Sequence, residues 1–159
     1  MDASAAVVVR AATPADAAGL AAERRVLFDE LGQSAAPGQS AAFAEQSAAA
    51  FHDGLTEGWC LAWLALAGAE TIGSVALLIF PRLPSPASLA RREGYLLNVY
   101  THPSWRGRGV ATTLVATAVA KARALGLARV RLHATAQGRP VYAAAGFEVR
   151  DNEMELTIG

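Results

Sequence analysis

The segment from Leu96 to Leu125 constrains the fold of this chain more than any other. An apolar run of strand-forming residues, Leu96–Thr101, leads through a turn that contains Pro103 into the basic, glycine-spaced turn Arg106–Gly109. A 3.6-residue apolar pattern that predicts a helix to Leu125 follows directly. The first amides of a helix have no intrahelical acceptor, so the order strand, turn, helix can present several N–H groups to one phosphate. The segment therefore predicts a ligand that carries phosphates.

The residues of the turn suit that ligand. Gly107 and Gly109 remove side chains where a ligand has to approach the backbone, and Arg106 and Arg108 add positive charge. The turn is not a dinucleotide-binding G-x-G-x-x-G, and it lacks the Gly-Lys-Ser/Thr of a Walker loop. Taken alone, it could also be a plain surface loop.

Composition excludes several classes of protein. A chain of 159 residues with 53% hydrophobic and 18% charged residues is expected to be one folded domain over residues 1–159 rather than a disordered chain. Fourteen basic residues balance fourteen acidic ones, which argues against a nucleic-acid partner. The three histidines, His52, His102 and His133, do not have a metal-ligand spacing, so we expect no metal.

Three features bear on localisation. The single cysteine, Cys60, cannot form an internal disulfide and suits the reducing cytoplasm as a buried, small hydrophobic residue. Met1–Ser4 lacks the basic region of a secretory signal. The apolar stretch Trp59–Phe80 carries Gly68 and Glu70 near its middle, as two strands joined by a turn would, so we expect no membrane span.

Patterns along the chain predict a mixed α/β order. The expected helices, the first with Thr13 as N-cap, cover about 13–31, 41–55, 107–125 and 139–145. The expected strands cover about 7–10, 59–67, 71–80, 93–101, 129–134, 147–150 and 153–158. This order predicts a mixed sheet with helices on both faces.

With its elements in this order, the chain resembles the GNAT-superfamily N-acetyltransferases. Their motif Arg/Gln-x-x-Gly-x-Gly/Ala is met by Arg106, Gly109 and Ala111, and their motif of a Tyr followed by Gly-Phe is met by Tyr142 and Gly146-Phe147. The resemblance implies an α/β fold with a mixed, mostly antiparallel central sheet of about seven strands, flanked by about four helices, with strands four and five splayed.

The resemblance also implies acetyl-CoA as the acetyl donor. Asn98, Val99 and Thr101 would then hold the pantetheine arm and the acetyl group, with a free N–H at a bulge, that of Val99, as the oxyanion donor. The pyrophosphate would be wrapped, largely through main-chain N–H groups, by Arg106, Gly107, Arg108, Gly109, Val110 and Ala111, and Thr112 could add its hydroxyl. The chain departs from many relatives at Thr135 and Gly138, where they have Asn and Ala.

Amide formation from a thioester needs an acid and a base. A phenol at Tyr142 is placed by the resemblance to protonate the leaving thiolate, although an aromatic of this kind can also serve only as packing. Several relatives carry a catalytic Glu where this chain has Tyr95. Glu93, two residues earlier on the same strand face, is the candidate base, with a chain of water molecules as the alternative. His133 is a candidate to face the acceptor cleft with Arg131.

The resulting functional prediction is a cytoplasmic, acetyl-CoA-dependent N-acetyltransferase that transfers directly to a primary amine in a ternary complex. The acceptor would be a small molecule or a peptide. The alternative is a sensor or regulatory module that binds CoA without turnover. The apolar closing strand permits a homodimer.

Overall fold

The computed structural model describes residues 5–159. Residues 1–4, on which the prediction about a secretory signal depends, lie outside this range, and the single domain over residues 1–159 stays a prediction. The strands are β1 Val7–Ala11, β2 Cys60–Ala67, β3 Glu70–Pro81, β4 Arg92–Thr101 and β5 Val130–Arg131. The helices are α1 Ala17–Glu30, α2 Ser40–Glu57, α3 Val110–Ala124 and α4 Arg139–Ala144.

The strands form one mixed sheet in the order β1-β2-β3-β4-β5. The first three pairs are antiparallel, and β4 and β5 are parallel. β4 and β5 pair only at Gly94 with Val130 and at Tyr95 with Arg131. One side of the C-terminal half of β4 therefore has no strand partner in the described part of the chain.

The apolar stretch Trp59–Phe80 forms the hairpin of β2 and β3, as its central Gly68 and Glu70 predict. In residues 5–159, no helix combines the length and the apolar composition that a bilayer span requires. The predicted pair of strands is thus confirmed.

Each face of the sheet has its own core. On one face, α3 places Leu114 and Val115, both completely buried, against strand residues such as Val75 and Leu77. On the other, α1 and α2 pack Leu20 and Phe51 against Cys60 and its neighbours. A Cβ atom at Gly73 of β3 would lie 2.7 Å from the Tyr100 carbonyl oxygen and 3.1 Å from Val110, so this glycine lets the start of α3 sit close to the sheet.

Two boundaries differ from the sequence prediction. The first helix begins with a 3₁₀ turn at Pro14–Asp16, where the Asp16 carboxylate accepts from the Thr13 N–H at 2.7 Å, and the α-helix starts only at Ala17. The third helix starts at Val110 rather than Gly107, because Gly107 and Gly109 both have positive φ and form a separate turn. Both glycines thus belong to the turn that leads into the helix.

The predicted count of about seven strands was wrong, since five are present in residues 5–159. The strand expected at 129–134 is reduced to Val130–Arg131, and residues 147–158 form no strand. The physical reason is that the closing strands lack a partner. The two-residue β5 has almost no free edge with which they could pair, and a two-stranded hairpin by itself is at best marginally stable. Apolar side chains of the closing segment consequently stay exposed.

Candidate active site

The turn before α3 presents a run of free backbone amides. Within residues 5–159, none of the six backbone N–H groups from Gly107 to Thr112 donates a hydrogen bond to a protein atom. The next N–H, that of Thr113, donates to the Gly109 carbonyl oxygen at 3.0 Å. The φ angles of Gly107 and Gly109 are 74° and 79°, in the left-handed region that glycine adopts without a Cβ penalty. Unbonded donors at a helix start attract an anion, and the positive end of the helix dipole adds to that attraction.

The two arginines of the turn have different environments. Nη2 of Arg106 donates to both carboxylate oxygens of Glu30, at 2.8 and 2.9 Å, and Nε of Arg106 donates to the Thr101 carbonyl oxygen at 3.0 Å. The Arg106 N–H donates to the Pro103 carbonyl oxygen at 3.3 Å. Arg106 thus ties the turn to α1, and its predicted contact with a phosphate would require these bonds to be given up.

Arg108, by contrast, has no carboxylate partner among the residues that the structure describes. Its guanidinium carbon lies 4.9 Å from the centre of the Trp105 ring, a cation–π contact that leaves the charge available. Arg108 is therefore the arginine of this turn that can meet an anion without breaking an ion pair.

A bulge in β4 lies just before this turn. Leu97 pairs with Ala76 and Tyr100 with Ser74, so Asn98 and Val99 together face the single residue Val75. Asn98 has a φ of 55°, the only positive φ at a non-glycine residue in the described chain. A β-bulge leaves its extra residue out of the ladder and re-aims the backbone, which is the local geometry that the family resemblance implies.

Side chains at the bulge end of β4 have polar atoms without partners. Asn98 is 3% exposed, and its Nδ2 donates to the Leu20 carbonyl oxygen at 3.4 Å. Its Oδ1 atom and the Oγ1 atom of Thr101 are both buried without a hydrogen-bond partner in residues 5–159. Unsatisfied buried polar atoms are uncommon and indicate groups that can receive a ligand.

Tyr142 lies on α4, across the opened edge of β4. Its ring contacts Phe147 edge-on at 6.0 Å, and a Cβ at Gly138 would come within 2.8 Å of its Cε2, so the ring needs a glycine there. Burial raises the pKa of Tyr142, and the nearby Tyr95 raises it further. The Tyr142 hydroxyl has no hydrogen-bond partner in the described residues, so it is free to donate to a ligand.

Thr135, where many relatives have Asn, has a structural contact. Its Oγ1 accepts from the Gly138 N–H at 3.1 Å, at the entry of α4. The residue therefore helps to set the position of Tyr142.

Glu93, the candidate base, is instead the centre of an ion-pair cluster. Its carboxylate is 3% exposed and contacts Arg131, Arg129 (2.9 Å) and Arg82 (3.4 Å). Burial alone would raise the pKa of Glu93, but hydrogen bonds and charge from Arg129 and Arg131 outweigh it and lower that pKa. Glu93 also lies six residues from Val99, about 20 Å along an extended strand. A buried carboxylate with arginine partners is a poor proton acceptor, so this arrangement argues against a base at Glu93, and that role stays a prediction.

The structure brings Tyr95 and His133 into contact, a pair that the sequence analysis did not predict. The Tyr95 hydroxyl, on the strand face that the sequence assigned to a catalytic group, is hydrogen-bonded to Nδ1 of His133. The sequence offered one signal, the polar residue His133 in an alternating strand pattern. The contact itself depends on how β4 and β5 separate.

A cavity of about 1160 Å³ lies on the β5 and α4 side. Its lining includes His133 and Tyr142, but none of the residues predicted to bind the cofactor. Five arginines also line it: Arg123, Arg129, Arg131, Arg139 and Arg150. Among residues 5–159, no group of three or more His, Cys, Asp or Glu side chains is arranged to hold a metal ion.

Solved structures of known proteins share this architecture. A predicted acetyltransferase with acetyl-CoA, from Clostridium acetobutylicum, superposes with a TM-score of 0.86 at 26% identity, over 96% of each chain. A GCN5-related N-acetyltransferase from Ralstonia eutropha JMP134 superposes with a TM-score of 0.85 at 28% identity, over 96% of this chain and 99% of that one.

Sequence comparisons point the same way. A glucosamine 6-phosphate N-acetyltransferase of Trypanosoma brucei brucei is 28% identical over 87 residues, which are 55% of this chain; the match spans only 57% of that relative's length. The sequence model of the Acetyltransferase (GNAT) family matches residues 28–147. That match covers the β4 bulge, the amides before α3 and Tyr142, and the chain belongs to the GNAT family of acetyltransferases.

Proposed function

We propose that this protein is an acetyl-CoA-dependent N-acetyltransferase that moves an acetyl group to a primary amine by direct transfer in a ternary complex. The observation that carries the proposal is the run of six unbonded amides, Gly107–Thr112, close in the chain to the bulge at Asn98 and Val99. Amides of this kind fit a diphosphate, and an opened strand edge fits an extended amide-containing arm.

Different residues would hold different parts of the cofactor. Bound acetyl-CoA would supply an acetyl group activated as a thioester. The amides Gly107–Thr112 would hold the diphosphate, with Arg108 adding charge. Asn98 and Thr101 would contact the arm through their unpaired oxygen atoms, and the N–H of Val99 would polarise the thioester carbonyl.

Tyr142 is the proposed acid. Since burial raises its pKa, the phenol stays protonated through the neutral range and can give its proton to the departing sulfur. An acyl-cysteine route is disfavoured, because burial raises the pKa of Cys60 to about 11 and its side chain lies within the α1 and α2 core.

For the acceptor, the arginine-lined cavity favours an amine that also carries an anionic group. Glu148 and Glu153 also line the cavity and pair with Arg150 and Arg131. Arg123 and Arg139 have no carboxylate partner in residues 5–159, so some positive charge in the cavity stays unneutralised. The Trypanosoma relative acts, by its name, on glucosamine 6-phosphate, an amine of this class. A cytoplasmic location, which suits the buried Cys60, is part of the same proposal.

Two measurements test the proposal. Calorimetry with CoA should show binding, and a free-thiol assay with acetyl-CoA should show release that depends on an added amine. The amines tested are glucosamine 6-phosphate, spermidine and a lysine-containing peptide. Binding without amine-dependent release would support the alternative, a CoA-binding sensor, and absence of binding would reject both.

We also propose that the protein forms a homodimer through its C-terminal segment, residues 148–158. Met154, Leu156 and Ile158 are at least 83% exposed and alternate with polar residues, as in a strand that lacks its partner. Pairing with a second copy would cover these side chains. Light scattering should give twice the chain mass for the protein and the single-chain mass for a Leu156→Glu variant; a monomeric parent protein would reject the proposal.

A further inference from the structure

Tyr95 and His133 connect the two strands that separate at the active site. The last backbone pairing between β4 and β5 is that of Tyr95 with Arg131, and His133 follows two residues later. Beyond this point the contact between the Tyr95 hydroxyl and His133 takes the place of strand pairing. The rings lie 5.6 Å apart with an interplanar angle of 52°, so the pair does not stack face to face.

The contact determines which imidazole nitrogen is available. Nδ1 of His133 is engaged by the Tyr95 phenol, while Nε2 has no partner in residues 5–159. His133 is exposed and lines the same cavity as Tyr142. An available ring nitrogen therefore faces the space that holds the proposed acid.

Charged and titratable groups from four parts of the fold surround the pair. They are Arg24 of α1, Arg131 of β5, Tyr142 of α4, and Glu153 and Glu155 of the C-terminal segment. Burial raises the pKa of Tyr95; Glu153 and Glu155 add to this, and the contacts with His133 and Arg131 oppose it without cancelling it. The Tyr95 phenol consequently stays protonated at neutral pH, and its oxygen can accept an Nδ1–H from His133.

We infer that His133 is the base that takes a proton from the acceptor ammonium at Nε2, and that Tyr95 is the residue that positions its ring. This inference rests on the proposed N-acetyltransferase function. The inference includes the tautomer in which His133 donates its Nδ1–H to the Tyr95 oxygen, because only then can Nε2 accept a proton.

The protons balance over one turnover. The ammonium R–NH₃⁺ gives one proton to His133, and the resulting amine forms a bond to the acetyl carbon as the carbon–sulfur bond breaks. Tyr142 gives its proton to the sulfur and regains one from the nitrogen, which becomes the amide R–NH–. His133 then releases its proton to solvent, so each turnover yields one amide, one thiol and one proton.

The test compares His133→Gln and Tyr95→Phe with a control, His52→Gln, whose exposed histidine lies on α2. The assay uses the amine that the unsubstituted enzyme turns over best. We expect kcat/KM of His133→Gln to fall about 100-fold at pH 7. It should approach that of the parent enzyme as the pH rises towards the pKa of the amine used, near 10.4 for a lysine side chain, because a growing fraction of the amine is then already deprotonated. The kcat/KM of Tyr95→Phe should fall about tenfold, and that of His52→Gln should equal that of the parent enzyme.

A second readout does not depend on turnover. Nitrogen-15 NMR of the His133 ring reports which nitrogen carries the proton, and we expect Nδ1–H in the parent protein and a shift towards Nε2–H in Tyr95→Phe. An active enzyme whose His133→Gln variant keeps its rate, or loses the same factor at every pH, would overturn the role of His133 alone. CoA binding with no amine-dependent thiol release in the parent protein would instead overturn the proposed function, and with it the role of a base.

Discussion

The two sides of the opened sheet are built in different ways. On the cofactor side, residues 98–112 form one continuous stretch: the bulge of β4, the glycine turn and the first residues of α3. The start of α3 is held by buried Val110 and by its close approach at Gly73. On the proposed acceptor side, Tyr95 lies on β4, His133 follows β5 and Tyr142 lies on α4, and the last two line one cavity.

This difference separates two tasks. Backbone amides recognise a phosphate with few demands on side chains, so a short contiguous segment with two glycines is sufficient. Recognition of an amine and transfer of its protons require side chains in defined positions, and the residues proposed for this are spread from Tyr95 to Tyr142. Variants on the two sides should therefore affect binding of CoA and turnover separately.

The largest effect is expected on the acceptor side. Tyr142→Phe should lower kcat by about 10²–10⁴, because the departing sulfur loses its acid, while the dissociation constant of CoA from calorimetry changes little. Since the pKa of Tyr142 is raised, the parent enzyme should keep kcat up to high pH and lose it only above the ordinary tyrosine value of about 10. An unchanged kcat in the variant would leave Tyr142 with a packing role only.

The matching variant on the cofactor side is Gly109→Glu. It places a carboxylate and a Cβ where the amides meet the diphosphate, and should weaken CoA binding about 100-fold by calorimetry. Gly126→Glu is the control, since Gly126 has a similar φ of 66° at the other end of α3 but no anion site. Equal CoA affinity in both variants would place the diphosphate elsewhere.

A substitution at Glu93 should affect stability rather than CoA binding or turnover. Glu93→Gln should destabilise the fold by about 1–3 kcal/mol, because three arginines lose a buried carboxylate, yet kcat should stay within about threefold. Glu148→Gln removes only an exposed pair with Arg150 and should have no effect on unfolding in urea. A large loss of kcat in a folded Glu93→Gln protein would restore its role as base.

The lowered pKa of Glu93 also predicts a pH dependence of stability. The stabilisation from its ion pairs is fully present above the pKa of an unfolded glutamate, about 4.3, and is lost as the pH falls through the lower pKa of the folded state. The difference in unfolding free energy between the parent protein and Glu93→Gln should therefore shrink in acid, as urea titrations at several pH values would show.

The smallest effect is expected at the link between the turn and α1. Arg106→Gln removes the pair with Glu30, both of whose side chains are partly exposed, and should cost less than about 1 kcal/mol in unfolding free energy. CoA affinity should change less than about threefold, because the amides and Arg108 remain. A loss of affinity comparable with that of Gly109→Glu would show that Arg106 leaves Glu30 and contacts the phosphates.

Most elements could be predicted from local patterns. The hairpin of β2 and β3, strand β4 and helices α2, α3 and α4 follow from apolar periodicity and from glycine and proline positions, and they occur within a few residues of the predicted bounds. The amides before α3 could be predicted for the same reason, since their availability depends only on where a helix begins. The closing strands could not, because a strand needs a partner edge and the two-residue β5 supplies almost none.

The glycine turn and its free amides could be located from the sequence, because they depend on neighbouring residues and their backbone angles. Three contacts could be seen only in the folded chain: Arg106 with Glu30, Glu93 with its arginines and Tyr95 with His133. Apart from the contact of Arg82 with Glu93, these contacts join residues that lie 36 to 76 positions apart. The physical reason is that a side chain's charge and proton chemistry depend on what is packed around it, and strand separation and helix docking establish those surroundings only in the folded chain.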